Sequence, residues 1–141
     1  MSKGFGSGSS KKKITVKQII LDKRFAEGEE LYFAKNYSKA ELIFLKLMDS
    51  GYENPSLFLY LSNIYIVHGS DEKAKTCLKT ALVSNPANPN IYFSLATIHF
   101  KRNEFDLAKS YLLQGLNLDP KNAFAFSNLA GCYEELLDFK D

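Results

Sequence analysis

The sequence predicts an all-α fold in which antiparallel helix pairs stack into a solenoid. Three alanines, Ala40, Ala74 and Ala108, stand 34 residues apart. Four further sets repeat at this interval: Phe58, Tyr92 and Phe126; Leu61, Leu95 and Leu129; the small residues Gly28, Ser62, Ala96 and Ala130; and Pro86 and Pro120. Regular spacing of this length is typical of units that bury their apolar faces on neighbouring units.

The first helix pair is predicted from about Thr15 to Lys35 and from Ser38 to Ser50. From Ile14 onward the apolar residues recur at helical spacing, and no segment shows the strict alternation of a half-buried strand. Gly28 and Ala40 are small, so the two helix backbones can approach closely where they cross. The short loop between the helices makes the pair antiparallel.

The second pair is predicted over 55–68 and 71–84. Asn54 stands before a proline of the first turn, where an asparagine side chain caps the helix and the missing proline N–H costs nothing. Gly69 suits the turn between the helices because glycine adopts a left-handed backbone without strain. Pro86 then prevents the second helix from continuing.

The third pair is predicted over 89–102 and 105–118, with Asn88, Asn103 and Pro120 at the corresponding cap, turn and stop positions. These assignments rest on the same three physical reasons as in the second pair.

A last helix is predicted from about Ala123 to Leu137. Leu136, Leu137 and Phe139 then have no second helix to cover them. Either this helix is a partial cap or the natural polypeptide continues. Residues 138–141 look like the start of another turn and helix, which favours a fragment of a longer array.

The composition and charge of the chain limit the classes of protein to which it can belong. The 141 residues are 45% hydrophobic and 24% charged, as in a globular domain. Residues 1–13 are mostly Gly, Ser and Lys, and we predict a flexible tail because they can bury little apolar surface. Residues 1–20 contain five lysines and no acid, whereas the whole chain carries only +2. The net acidic remainder argues against a nucleic-acid-binding domain.

No apolar run approaches the roughly 20 residues that span a bilayer. The N-terminus also lacks the apolar stretch of a signal peptide. We therefore expect no membrane span and a cytoplasmic protein.

The sequence offers no pattern of reactive residues. Cys77 and Cys132 fall within helical patterns and are expected to be free, buried thiols rather than a disulfide. His68 and His99 lack a second ligand at helical spacing. No phosphate-binding loop, nucleophile elbow or His-Glu-x-x-His motif occurs. We predict no catalytic residue, metal, cofactor or small-molecule substrate, and a protein that is not an enzyme.

The repeating columns resemble the tetratricopeptide repeat (TPR), a 34-residue helix–turn–helix unit with small, large and proline positions in this order. The resemblance implies a right-handed superhelix over residues 14–141, built from units at about 21–54, 55–88 and 89–122 and a partial unit at 123–141. The first unit is degenerate, since Arg24 and Glu27 stand where apolar residues are expected and Tyr52 replaces the terminal proline. An atypical first unit suits a cap whose outer face meets water.

The resemblance also implies a concave groove that holds a peptide or protein. By matching position, its residues are Phe25, Tyr32, Leu59, Asn63, Ile66, Phe93, Thr97, Phe100 and Lys101. Apolar and aromatic members are expected to bury a partner's side chains, while Asn63 and Lys101 orient its polar groups. One TPR subclass grips chaperone C-terminal carboxylates with a basic and asparagine clamp. Here only Asn63 and Lys101 could correspond, and Glu29 would repel a carboxylate, so we predict against that activity.

The predicted function is therefore a scaffold that binds a protein or peptide. Two alternatives stay open. The N-terminal Gly-Phe-Gly and lysine segment resembles the start of some bacterial TPR proteins, which can carry a transferase-type domain after the repeats. In that case the chain is the recognition arm of a larger enzyme. Alternatively, the uncovered last helix packs on another copy and the protein is a self-associating homo-oligomer.

Overall fold

The computed structural model describes residues 13–138, which form seven α-helices and no strand. The helices are α1 Val16–Phe33, α2 Tyr37–Asp49, α3 Pro55–Val67, α4 Asp71–Ser84, α5 Pro89–Lys101, α6 Phe105–Leu118 and α7 Ala123–Asp138. The all-α prediction is confirmed, and each predicted helix end lies within two residues of the observed one. The predicted tail up to residue 12 and Phe139 lie outside the described residues.

Asparagine caps begin two of the helices as predicted. Asn54 Oδ1 accepts a hydrogen bond from the Ser56 N–H at 2.9 Å, and Asn88 Oδ1 accepts one from the Asn90 N–H at 3.0 Å. Each cap satisfies an N–H that the helix itself cannot, which is worth about 1 kcal/mol. The proline that follows each asparagine occupies the first turn.

The turns inside the pairs use a left-handed backbone. Gly69 has φ 75° and Asn103 has φ 60°, which confirms the two predicted turn positions. The corresponding turn between α1 and α2 places Lys35 at φ 61°. A lysine with this backbone conformation has a steric cost that glycine avoids. The sequence pattern did not predict a left-handed residue at this position.

The described chain forms two compact units, the first ending at Tyr52 and the second beginning at Glu53. In the first unit α1 packs on α2. Ala40 and Phe44 have no exposed surface, and a Cβ added to Gly28 would stand 2.6 Å from the Phe44 ring. Glycine at this position therefore lets the Phe44 ring fill the crossing between the helices.

The residues of the first unit that depart from the repeat pattern interact with other residues of that unit. Arg24 and Glu27, which occupy columns that are apolar elsewhere, form an ion pair at 3.1 Å on the surface of α1. Tyr52 packs on the Phe25 ring at 5.6 Å, and its hydroxyl donates to Asp22 at 2.7 Å. The tyrosine that replaces the terminal proline thus ties the end of α2 back to α1.

In the second unit α3 packs on α4, α5 on α6, and α6 on α7. Ala74 and Ala108 are fully buried, as their column predicts. A Cβ added to Gly115 would stand 2.3 Å from the Phe93 ring, so this glycine accommodates the ring between α5 and α6. A core cluster forms there from Phe93, Ala96, Ala108, Leu112, Leu116, Ala125 and Cys132.

Both cysteines are free, as predicted. Cys132 is fully buried in the core cluster and Cys77 is half-buried on α4. Burial raises the pKa of both thiols, although Lys109 opposes that shift in the pKa of Cys132. His99 is buried and stacks on the Tyr111 ring at 5.4 Å, so this imidazole packs inside the second unit.

None of the seven helices combines the length and the apolar character needed to cross a bilayer.

Candidate functional site

A cavity of about 520 Å³ opens in the second unit beside α3, α5 and the start of α7. We call it the amide cavity because four asparagines line it. Its lining residues are Ser56, Leu59, Tyr60, Asn63, Asn88, Asn90, Phe93, Ser94, Thr97, Asn122 and Phe124. No charged side chain is among them, so the cavity offers amide and hydroxyl groups above an apolar and aromatic floor.

The four asparagines divide into two structural roles. Asn88 and Asn122 each use the side-chain oxygen to accept a backbone N–H at the start of a helix, at 3.0 and 2.9 Å. The side-chain amides of Asn63 and Asn90 make no hydrogen bond to other groups of residues 13–138. Each of these two amides therefore presents both its donor and its acceptor to whatever enters the cavity.

A second, smaller cavity of about 120 Å³ lies next to the first. It is lined by Ala96, Thr97, Phe100, Lys101, Leu112, Phe124 and Asn128. Thr97 and Phe124 border both cavities, so the two spaces follow one another along α5. We call the two cavities together the groove. Apolar atoms supply most of the smaller cavity, whereas polar groups are prominent in the amide cavity.

Comparison with known proteins agrees with this architecture. Residues 89–122, which span α5 and α6, match the tetratricopeptide repeat family model. The chain has the TPR fold. The match confirms the resemblance drawn from the sequence for the third repeat unit, and it coincides with the unit whose first helix carries most of the groove.

Solved TPR structures extend this likeness over most of the chain. The first TPR of Spaghetti (RPAP3), bound to the HSP90 peptide SRMEEVD, has a TM-score of 0.77 at 20% identity, covering 83% of this chain and 93% of that chain. The Sgt2 TPR domain from Aspergillus fumigatus gives 0.75 at 20% identity, covering 86% and 82%. PcrH from Pseudomonas aeruginosa gives 0.68 at 20% identity, covering 88% and 94%. No curated protein sequence matches the chain significantly.

The structure brings together most of the residues that the TPR resemblance assigned to a groove. Leu59, Asn63, Phe93 and Thr97 line the amide cavity, and Phe100 and Lys101 line the smaller one. Ile66 is half-buried on α3 and lines neither cavity, but its carbonyl accepts a hydrogen bond from Lys101 Nζ at 3.5 Å.

Two predicted groove residues lie in the first unit. Phe25 is 7% exposed and its ring packs between Phe44 and Tyr52, so it serves the core of that unit. Tyr32 is half-buried and makes edge contacts with the rings of Phe33 and Tyr37. Neither lines the cavities of the second unit.

The Phe93 ring and the Lys101 ammonium are less available to a ligand than the family resemblance implies. Phe93 is only 6% exposed because its ring fills the space beside Gly115, so it forms a floor rather than a projecting anchor. Lys101 Nζ lies 3.8 Å from an Asp71 carboxylate oxygen, so its charge is partly compensated within the protein. The rings of Phe100 and Phe124 are the exposed aromatic groups along the groove, at 36% and 62%.

Sequence reasoning missed Asn90, Ser94 and Phe124, although a signal for them existed. Ser56, Asn90 and Phe124 stand at the same repeat position, as do Tyr60 and Ser94. All five line the amide cavity. These positions lie on the first helices one turn before the predicted groove residues, so the same 34-residue alignment could have found them.

Proposed function

We propose that the chain is a non-catalytic scaffold that binds a partner polypeptide in the groove beside α5. The observation that carries the proposal is the uncharged amide cavity, where Asn63 and Asn90 hold unused donors and acceptors above an apolar floor. Such a pair suits the alternating N–H and C=O groups of an extended peptide backbone. The smaller cavity beside Phe100 then receives an apolar side chain.

The comparisons support a polypeptide as the ligand. The RPAP3 domain was solved with an HSP90 peptide, and PcrH was also solved with the chaperone binding region of PopB. Both are TPR folds at about a fifth sequence identity. The ligand of this chain is inferred from its own lining residues rather than from theirs.

The lining also restricts the chemistry of the partner. A carboxylate or an ammonium group entering the amide cavity would lose water without meeting an opposite charge, which is costly. Lys101 is already near Asp71. We therefore infer that the bound segment is uncharged where it crosses the amide cavity. For the same reason we do not expect acidic tails of the chaperone type to bind in the amide cavity.

Two buried or half-buried free thiols fit a reducing compartment. We therefore infer that the interaction takes place in the cytoplasm.

Peptide selection on the whole chain tests the proposal. Peptides selected from a displayed random library are measured by fluorescence anisotropy against the wild type and against Asn63→Ala and Asn90→Ala. Loss of one amide hydrogen-bond partner is expected to weaken binding about three- to tenfold. Asn117→Ala, at an exposed asparagine of α6, is the matched control and should bind as the wild type does.

The selected sequences provide a second readout. They are expected to be poor in Asp, Glu, Lys and Arg at their central positions. If the asparagine variants bind as tightly as the Asn117→Ala control, or if the selected peptides are uniformly acidic, the groove assignment is wrong.

A further inference from the structure

An exposed apolar surface lies at the start of α1. Val16, Ile19 and Ile20 are each at least 55% exposed, and helical spacing places them on the side of α1 opposite the buried Phe25. We call these three residues the α1 patch. Ile14, which precedes the helix, adds a further exposed apolar side chain beside it. A contiguous apolar surface of this kind marks an interaction site.

The helix that carries the patch is already held in place by the first unit. Thr15 is its N-cap, and the Thr15 hydroxyl accepts a hydrogen bond from the Gln18 N–H at 3.1 Å. On the opposite side of α1 the Phe25 ring packs on the rings of Phe44 and Tyr52. A partner therefore meets an ordered helix and does not have to fold it.

Lysines that no carboxylate neutralises surround the patch. Lys13, Lys17 and Lys23 are exposed, and none of their ammonium groups forms an ion pair with any of residues 13–138. Lys17 stands three positions before Ile20, and Lys23 stands four positions after Ile19. Residues at these spacings are neighbours on the surface of a helix, so both lysines border the patch.

The two acids that stand closest to the patch in the sequence are engaged by groups of the first unit. Asp22 accepts hydrogen bonds from Gln18 at 3.0 Å and from the Tyr52 hydroxyl at 2.7 Å. Glu27 forms an ion pair with Arg24 at 3.1 Å. The three lysines therefore keep their positive charge uncompensated next to an apolar surface.

The positive charge of the chain is concentrated in the part of the sequence that carries the patch. Residues 1–27 contain six lysines and one arginine against one aspartate and one glutamate, which is +5 and leaves −3 for residues 28–141. Glu29 and Glu30, the remaining acids of α1, lie about 13 Å or more beyond Ile20 along the helix axis. That separation exceeds the Debye length of about 10 Å at 0.1 M ionic strength.

We propose that the α1 patch and its bordering lysines dock the protein on the surface of an anionic lipid bilayer. Val16, Ile19 and Ile20 enter the boundary between head groups and acyl chains. Lys17 and Lys23 extend their alkyl stems along the apolar layer and place their ammonium groups at lipid phosphates. The helix lies on the surface, which does not require the length of a helix that crosses the bilayer.

The make-up of this surface favours lipid over other anionic partners. Binding to nucleic acid uses basic and polar groups at phosphates and has no need of three exposed aliphatic side chains. Protein interfaces are enriched in aromatic residues and arginine and depleted in lysine. The α1 patch contains only aliphatic side chains, and the exposed cations beside it that lack an ion pair among the described residues are all lysines.

Docking of this kind is weak and reversible, and it needs both parts of the surface. One short apolar face gives marginal affinity for a bilayer, and basic residues beside it supply the second contribution. Each lysine near an anionic surface strengthens binding about fivefold. The inference does not depend on the peptide-binding proposal, because the α1 patch belongs to the first unit and the groove to the second.

Co-sedimentation of the whole chain with lipid vesicles tests the inference. One set of vesicles is phosphatidylcholine alone, and the other contains phosphatidylcholine and phosphatidylserine in equal amounts. The wild type is expected to pellet with the phosphatidylserine vesicles and to stay in the supernatant with phosphatidylcholine alone. Added sodium chloride should release it, because salt screens the attraction between lysines and phosphates.

Two variants remove one contribution each. Lys17→Gln is expected to lower the partition coefficient about fivefold. Ile19→Ser should lower it about tenfold, because an isoleucine partly buried in the bilayer is lost. Lys79→Gln and Val83→Ser are the matched controls, since both residues are exposed on α4 of the second unit, and they should bind as the wild type does. Circular dichroism checks that all four variants fold.

Three results overturn the inference. If the wild type stays in the supernatant with both sets of vesicles, the patch does not dock on lipid. If Ile19→Ser pellets like the wild type, the apolar side chains do not enter the bilayer. If duplex DNA binds the wild type and Ile19→Ser equally and as tightly as the phosphatidylserine vesicles do, the segment recognises phosphate in general. Peptide affinity in the groove should be unchanged in Lys17→Gln and Ile19→Ser, which separates this test from the previous one.

Discussion

Two glycines show how one missing Cβ sets the packing of a repeat. A Cβ on Gly115 would stand 2.3 Å from the Phe93 ring, whereas one on Gly131 would stand 3.5 Å from the Phe100 ring. The first distance forces a neighbour to move and the second is ordinary van der Waals contact. Gly115 is therefore a position where no larger residue fits without a shift of Phe93, whereas Gly131 can accept a methyl group.

Alanine substitutions at these glycines should have opposite effects on stability. Gly115→Ala is expected to lower the free energy of unfolding by about 1–2 kcal/mol, because overpacking against Phe93 exceeds the gain in helix propensity. Gly131→Ala should raise it by up to about 1 kcal/mol through propensity alone. Urea denaturation followed by circular dichroism measures both. Equal effects of the two substitutions would contradict the packing assigned to Phe93.

Tyr52 offers a second test at the residue scale. Tyr52→Phe keeps the ring on Phe25 but removes the hydroxyl that donates to Asp22, so stability should fall by about 0.5–1.5 kcal/mol. Tyr133→Phe, at a ring that is 45% exposed, serves as the control and should be neutral. An unchanged urea midpoint for Tyr52→Phe would mean that the hydroxyl does not tie α2 to α1.

At the scale of the element, sequence reasoning located the helices well because the chain marks their ends chemically. Asn54, Asn88, Gly69 and Asn103 each perform the cap or turn role that their residue type predicts. The groove was predicted less completely. The position of a residue within the TPR unit indicates which face of the helix it occupies. It does not indicate that the Phe93 ring is buried in the space beside Gly115. Nor does it show that Lys101 will lie near Asp71, since that contact joins α5 to α4.

α7 is the element whose stability should be most separable from the rest of its unit. Among the described helices it packs on α6, and its other face is exposed. In repeat folds a terminal helix opens at a lower free energy than the whole chain. Cys132 reports on this opening because it is fully buried in the core cluster.

Thiol labelling should therefore reveal local opening of α7. In a Cys77→Ser background, Cys132 is expected to label slowly in native buffer, both because it is buried and because burial raises the pKa of its thiol. Low urea should accelerate labelling well below the global unfolding midpoint. If the opening free energy from labelling equals that from global unfolding, α7 does not open independently.

At the scale of the whole molecule, the groove is a surface with little net charge. The amide cavity has no charged lining residue, and Lys101 of the smaller cavity lies 3.8 Å from an Asp71 carboxylate oxygen. Salt screens exposed charges over about 10 Å at 0.1 M ionic strength. Peptide binding in the groove should therefore respond little to salt.

We expect peptide affinity in the groove to change little between low and high sodium chloride. Fluorescence anisotropy over a series of salt concentrations measures this response. A peptide affinity that falls steeply with salt would indicate that charged groups, such as Lys101, dominate recognition in the groove.

The capping asparagines at the rim of the amide cavity have a consequence for how this scaffold could acquire new ligands. Asn88 and Asn122 each hold the start of a helix, so replacing either one changes the stability of the domain together with the shape of the site. Ser56, Asn90 and Phe124 each stand two residues after an asparagine of this kind (Asn54, Asn88 and Asn122), and their own side chains do not hold a helix start. Diversification of specificity, in nature or in a designed library, should accumulate at these three positions and spare the caps.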